Sequence, residues 1–400
     1  MKIQHSAFRI VHCAFAALAL TLWCASAFGA QQQGAALRGV AARWNSGGVS
    51  PAQLEAQMGV LREDGAKGLP ELTLWEEFDA QKLVNDDTSI SCAVTRVYGH
   101  GEDVFSFTVL KGGWPVRGEP GFCALSDQAA FQLFGSTNAM GQSLTWNDRN
   151  YTVQGIFQSG DALMLAQAYA DSEAKMPNLQ LRFANGGSRA QAEAFLVRTS
   201  FGSGAILLDM PLIAWGLETL AALPALLLGA WILVRLIVRA WQKRKYPRLL
   251  LTDLPLLLPL AAAAIYLSLR NMSLPAALIP GAWSDFSFWE GLLGGWGDHL
   301  TAWLRNPTGG DIALIFASLG ILVLVFLAML SGVLALSRVQ IHRPKHVFLV
   351  CAGCIAWMFV MALFYRGLQV SPAMWLLPGL WVLTDFSLHS WGKTGASNEE

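Results

Sequence analysis

Long apolar runs without charge constrain this chain more than any other feature. Ile312–Ser337, Val347–Tyr365 and Gly367–Thr384 contain no Asp, Glu, Lys or Arg; Met210–Val234 contains only Glu218, and Leu249–Leu269 only Asp253. A hydrocarbon core about 30 Å thick takes about 20 helical residues, each rising about 1.5 Å. Five membrane spans are therefore expected in the second half of the chain. A sixth run, Cys13–Ala30, follows Lys2 and Arg9 and ends near Ala25-Ser26-Ala27. It reads either as a retained anchor or as a cleaved signal peptide. Both readings deliver Gln31 onward to the outside.

Composition agrees. Only 14% of residues are charged, against about 25% in an ordinary soluble domain. The 54% hydrophobic content excludes a disordered chain, and zero net charge gives no basic excess for binding nucleic acid. Sixteen tryptophans suit membrane interfaces.

The charges that remain are sorted. Arg239, Lys243, Arg244, Lys245 and Arg248 cluster between the second and third runs, and Arg338, Arg343 and Lys345 between the fourth and fifth. The segment from Arg270 to Asp311 instead carries Asp285, Glu290, Asp298 and Asp311. The positive-inside rule places both basic loops and both termini in the cytoplasm and 270–311 outside.

Residues 31–205 are different material, with thirteen Lys and Arg against eighteen Asp and Glu, a net charge of −5. A segment of this size can bury its own core. Gln53–Glu63, Ala124–Phe134 and Gln191–Val197 read as short helices, with Ser126 or Asp127 capping the second. Val94–Tyr98, Val104–Leu110, Ser143–Trp146 and Tyr151–Phe157 read as strands. Asn147-Asp148-Arg149-Asn150 joins the last two as a hairpin. The expected fold class is an α+β extracytoplasmic domain inserted after a first transmembrane helix and followed by an all-α multi-span region, about six spans in total. The expected boundaries are an N-terminal anchor or signal-like helix at 1–30, the extracytoplasmic domain at 31–205, five spans within 206–392 and a cytoplasmic tail at 393–400.

Cys92 and Cys123 are the two cysteines of the 31–205 segment. In an oxidising compartment they pair as a disulfide or remain as two buried thiols; the spacing does not decide. Cys351 and Cys354 lie inside an apolar run without a thioredoxin-like context and read as small residues for helix packing.

The stretch Phe107–Phe157 resembles the periplasmic core domain of MacB/FtsX-type ABC transporter permeases. The pattern runs from Gly112-Gly113 through Cys123-Ala124-Leu125-Ser126, Leu133-Phe134-Gly135 and Met140-Gly141-Gln142 to Tyr151-Thr152-Val153-Gln154-Gly155-Ile156. The family places one span before this domain and three or more after it, which favours the retained anchor. The chain departs from the pattern in having five apolar runs after the domain. It also lacks acidic partners within Arg239–Arg248 and adds the element Trp283-Ser-Asp-Phe-Ser-Phe-Trp289.

No catalytic constellation accompanies these features. Gly392-Lys393-Thr394 imitates the end of a P-loop, but the glycine required five residues earlier is Ser387. No HExxH, GxSxG or zinc-spaced CxxC pair is present, so neither enzyme activity nor a cofactor is expected of the chain by itself. The resemblance implies a separate cytoplasmic ABC ATPase subunit and a second permease, identical or not, in a bacterial inner membrane. The implied activity is export or release of a substrate, driven by ATP and transmitted to the extracytoplasmic domain. Arg239, Lys243, Arg244, Lys245 and Arg248 are candidates for docking the ATPase; they also fit contact with anionic lipid. The missing acidic partners favour a second reading, a membrane-anchored sensor or scaffold derived from such a permease. Glu218 is the intramembrane polar candidate, pairing with a polar group in a substrate path or with another helix. Asp253 and Asp385 fall near cytoplasmic ends, within reach of the interface. Trp283, Phe286, Phe288, Trp289, Trp296 and Trp303 form an aromatic outer segment that lies on the outer leaflet or faces a lipid-like substrate.

Overall fold

A computed structural model describes residues 2–37, 39–85, 88–104, 107–184, 189–243, 247–269, 278–279, 284, 286–305, 307–336, 344–365 and 368–394. The chain divides into two units. One is helical and comprises Met1–Ala35, Ala214–Leu278 and Ile315–Glu400; the other comprises Ala36–Ile213 and Ile279–Leu314.

A first helix, α1 (Lys2–Ala36), leads to the α/β unit. There the order is β1 (Val40–Trp44), α2 (Pro51–Glu63), β2 (Glu71–Asn85), β3 (Thr88–Tyr98), β4 (Val109–Gly112), β5 (Phe122–Ser126) and α3 (Asp127–Phe134). It continues with β6 (Ser143–Trp146), β7 (Arg149–Phe157), β8 (Leu163–Gln167), β9 (Asn178–Arg182), α4 (Arg189–Arg198) and β10 (Ala205–Asp209). The strand Phe122–Ser126 occupies the start of the helix expected over 124–134, so that helix begins only at Asp127. Ser126 is its cap, accepting hydrogen bonds from Ala129 N (3.1 Å) and Leu163 N (3.0 Å). Gly135, in the left-handed region at φ 70°, ends the helix.

The strands run in the order β10-β1-β9-β2-β3-β8-β5-β7-β4, and β6 pairs with both β7 and β2. That second pairing closes β2, β3, β8, β5, β7 and β6 into a ring. Its inward residues follow the period-two rule of a pleated strand, with Cys92 and Val94, Cys123 and Leu125, and Val153 and Tyr151 in one buried cluster. Ala129, Ala130 and Leu133 of α3 join the same cluster. The bulge between Phe78 and Gln81 lets the long hairpin β2–β3 serve two cores. Beyond the ring, α2 and α4 cover the β10-β1-β9-β2 sheet with Leu54, Met58, Phe195 and Leu196 against Val40, Leu72, Leu74 and Leu179. Helix α2 starts on a capping box in which Ser50 Oγ accepts from Gln53 N (3.2 Å) and Ser50 N donates to Gln53 Oε1 (3.3 Å).

The remaining helices are α5 (Met210–Lys243), α6 (Pro247–Leu269), α7 (Phe286–Arg305), α8 (Gly309–Leu336), α9 (Pro344–Phe364) and α10 (Pro372–Thr394). Among the described residues, four stretches are long and apolar enough to cross a membrane: Ala14–Gly34, Met210–Gln242, Gly309–Leu336 and Pro344–Phe364. The other two apolar runs are helical as well: α6 has the shorter apolar stretch Leu257–Leu269, and α10 carries Pro378. The helical core joins Trp23 and Cys24 of α1, Ile232 of α5, Ala264 of α6, Met358 of α9 and Leu377 of α10. Small residues bring helices close: a Cβ at Gly229 of α5 would lie 3.1 Å from Ser268 Cβ of α6.

Candidate functional site

The helical unit holds a polar cavity of about 380 Å³, lined from α1 by Trp23, Ala27, Ala30 and Gln31 and from α5 by Glu218, Thr219, Ala221, Ala222 and Ala225. Ser268 and the segment Gln369–Met374 complete it. Gln31 and Gln369 fasten one wall, since Gln31 Nε2 donates to Gln369 O (2.8 Å) and Gln369 N donates to Gln31 Oε1 (2.9 Å). Glu218, chosen from the sequence because it is a charge inside an apolar run, is exposed on this wall. Gly34 makes space for it, because a Cβ there would sit 3.3 Å from Glu218 Oε1. No ion pair to Glu218 exists among the described residues.

A second cavity, about 210 Å³, is lined by Ala16, Ala19 and Leu20 of α1, Leu227 and Trp231 of α5, and residues of α8, α9 and α10. Its described lining is free of charge. Trp23 faces both cavities and is held by its indole N–H donating to Ala221 O (3.1 Å).

Deeper along α5, Arg235 pairs with Asp385 of α10 at 2.5 Å, with its guanidinium 5.9 Å from the Trp231 ring. Asp385 is 1% exposed. It therefore closes a buried ion pair instead of reaching the interface as its place near the end of its run suggested; the partner is 150 residues away.

Of the docking candidates, Arg239 lies near the end of α5 and is half-buried. Lys243 is the last residue of α5 and Arg248 lies in the first turn of α6. Arg244 and Lys245 lie outside the described residues, as does Trp283 of the aromatic outer segment. In that segment, Trp303 on α7 packs against Ala41, Leu208 and Met210 of the α/β unit, whereas Phe286 is 82% exposed.

Within the α/β unit, Cys92 and Cys123 are both thiols in the ring's core. Burial pushes Cys92 up to about 12 and Cys123 higher still. A buried charge cluster joins β1 and β2 to the first turn of α8. Thr308 and Asp311 form its capping box: Thr308 N donates to Asp311 Oδ2 (3.0 Å), and Asp311 N donates to Thr308 Oγ1 (3.2 Å). Gly309 N donates to Glu77 Oε2 (2.9 Å), and Arg43 lies 3.8 Å from Asp311 with its guanidinium 4.5 Å over Trp75. Burial raises the Glu77 pKa against the lowering effect of Gly309 and Arg43. At Glu55 burial works upward too, but hydrogen bonds from Tyr98 and Arg117 hold the carboxyl below its ordinary value. Sequence reading missed this cluster and the Arg235–Asp385 pair. Each joins residues far apart in the chain, and the sequence hinted at them only through Asp311 and Asp385, acidic residues beside apolar runs. Among the described residues no group of His, Cys, Asp and Glu could hold a metal ion.

No protein-family model matches the chain, and no curated protein does. In structure the chain is similar to the periplasmic region of MacB from Actinobacillus actinomycetemcomitans, at 12% identity over 45% of this chain and 92% of that one, with a TM-score of 0.36. It is also similar to the extracellular domain of the noncanonic ABC-type transporter YknZ from Gram-positive bacteria (14% identity, 38% and 87% covered, TM-score 0.29). A domain of a putative permease protein from Porphyromonas gingivalis is a further match (18% identity, 41% and 82% covered, TM-score 0.29). The element order of this chain, a mixed sheet-and-helix domain between a first membrane-length helix and a later helical set, agrees with the MacB-like arrangement that Phe107–Phe157 resembles.

Proposed function

We propose that the chain is the permease subunit of an ABC-type complex that exports or releases a substrate, powered by a separate cytoplasmic ATPase and paired with a second permease. The observation that carries this reading is how the membrane helices enter the sheet. Helix α1 ends at Ala36 just before β1, and β10 ends at Asp209 immediately before α5 begins at Met210. Strands β1 and β10 are neighbours, with Val40 opposite Asp209. Asp209 Oδ1 accepts from Leu212 N (3.1 Å), which caps the helix at the strand's end. In this reading a shift between the two helices is passed to two paired strands, directly from α5 to β10 and across residues 37–39 from α1 to β1. In this reading 31–205 is extracytoplasmic, both termini are cytoplasmic, and the membrane is the bacterial inner membrane. Arg239, Lys243, Arg244, Lys245 and Arg248 form the cytoplasmic grip for the ATPase.

The test is affinity purification in mild detergent followed by ATPase assay, with Lys243→Gln, Arg244→Gln and Lys245→Gln combined. An ABC ATPase should co-purify with the wild type, and its stimulation should fall in the triple variant while membrane insertion stays normal. Repeated purification without any ATPase would sink the proposal. Normal insertion with no effect on any ATPase would instead leave the scaffold reading.

A further inference from the structure

The two cavities of the helical unit are lined by successive stretches of α1 and α5 and share Trp23, one cavity holding polar groups and the other almost wholly hydrocarbon. From Glu218 to Trp231 the α5 lining spans about 20 Å at about 1.5 Å per residue. Glu218 carries the one formal charge among the described lining residues of both cavities. The Gln31 side-chain amide is engaged at both ends by the Gln369 backbone, which leaves the Glu218 carboxylate as the charged group facing the cavity. A carboxylate within a membrane span is costly unless something compensates it. Gly34 preserves the space in front of it.

The geometry points to a binding site for a cationic amphiphile. Its ammonium group would pair with Glu218 in the polar cavity, and its apolar body would lie beside Trp23 and extend into the cavity lined by Leu20, Leu227 and Trp231. A volume of about 380 Å³ for the polar part lies at the lower end of small-molecule sites. A charge-assisted hydrogen bond to the carboxylate supplies head-group selectivity, and the apolar wall supplies affinity without selectivity. That this amphiphile is the transported substrate rests on the permease reading; the binding itself does not.

The experiment uses the full chain in phosphatidylcholine nanodiscs without ATPase, titrated with a fluorescent dodecylammonium probe and matched dodecanol and dodecanoate probes. The ammonium probe should bind tightest and the carboxylate weakest. Glu218→Gln should weaken the ammonium probe about tenfold or more and change the alcohol probe less than about twofold. Ala16→Trp, which fills the apolar cavity, should weaken both. Glu218→Asp keeps the charge and should retain the head-group order. Adding phosphatidylethanolamine displaces the probe where a lipid head group is the natural source of the ammonium, and leaves it bound where a free amphiphile is. Equal loss of the ammonium and alcohol probes in Glu218→Gln overturns the proposal. So does loss of head-group order in a Glu218→Asp variant that elutes like the wild type. Lost ATPase coupling with intact probe binding would count against the permease reading and leave the site standing.

Discussion

Arg43→Met replaces the cation that faces Asp311 and Glu77 with an apolar side chain of similar length. The Arg43 and Asp311 side chains are 12% and 5% exposed and lie 3.8 Å apart. At an effective dielectric constant of about 20, two unit charges about 4 Å apart attract by about 4 kcal/mol. Desolvation offsets much of that in the intact pair, but removing one partner strands the other, at a cost of about 3–5 kcal/mol. Asp311 keeps its hydrogen bond from Thr308 N (3.0 Å), so the lower figure, about 3 kcal/mol, applies. The lost stack on Trp75 is already part of that sum. For a domain of 150–250 residues, about 3 kcal/mol corresponds to a melting point roughly 6–12 °C lower. The assay is thermal unfolding of the detergent-solubilised full chain by near-ultraviolet circular dichroism, which reports on the packing of its sixteen tryptophans, Trp75 among them. Arg43→Met combined with Asp311→Asn removes both charges and should recover most of the loss, because a neutral pair in place of a buried ion pair is often close to neutral in stability. A shift below about 2 °C for the single variant, well under the 6–12 °C expected, would refute the reasoning. A double variant no more stable than the single would refute it equally.

Other consequences are as direct. Burial raises the Glu77 pKa, so the folded state holds its proton longer than the unfolded chain; this contribution is present below the ordinary glutamate pKa of about 4.3 and is lost as pH rises through the raised value. Glu77→Gln should flatten the stability–pH curve there, and an unchanged curve would contradict the cause given. Ser126→Ala removes the acceptor for two backbone N–H groups and should cost about 1–2 kcal/mol in chemical denaturation; a loss below about 0.5 kcal/mol would show that water replaces the hydroxyl. Cys92 and Cys123 should resist maleimide in the folded protein and react fully in denaturant without reductant; failure to react there would reveal a disulfide. Asp385→Asn strands Arg235 and should lower the detergent melting point, and the exchange Arg235→Asp with Asp385→Arg should restore part of it. Equal loss in the single and exchanged variants would mean that the pair is not the source of the effect.

The features legible before folding are those set by local pattern. The long apolar runs had to be helices because lipid cannot satisfy an open backbone, and all six appear as α1, α5, α6, α8, α9 and α10. Ser143–Trp146 and the hairpin to Phe157 were readable from β-branched and aromatic content next to a turn. Strands β1, β2, β8, β9 and β10 were not. Val40–Trp44 and Leu163–Gln167 show no clear alternation because each is buried on both faces.

Glu218 was visible as a charge in an apolar run, and charge sorting between the loops was visible without any coordinates. What only the tertiary structure decided is which distant residues meet. It closed six strands into a ring through β6, set Arg43 against Asp311, placed Asp385 against Arg235, and opened a cavity in front of Glu218. The physical reason is one of range. Helix formation in lipid and strand alternation are written in neighbouring residues, whereas pairing of buried charges and the shape of a cavity depend on contacts between segments that sequence order leaves far apart.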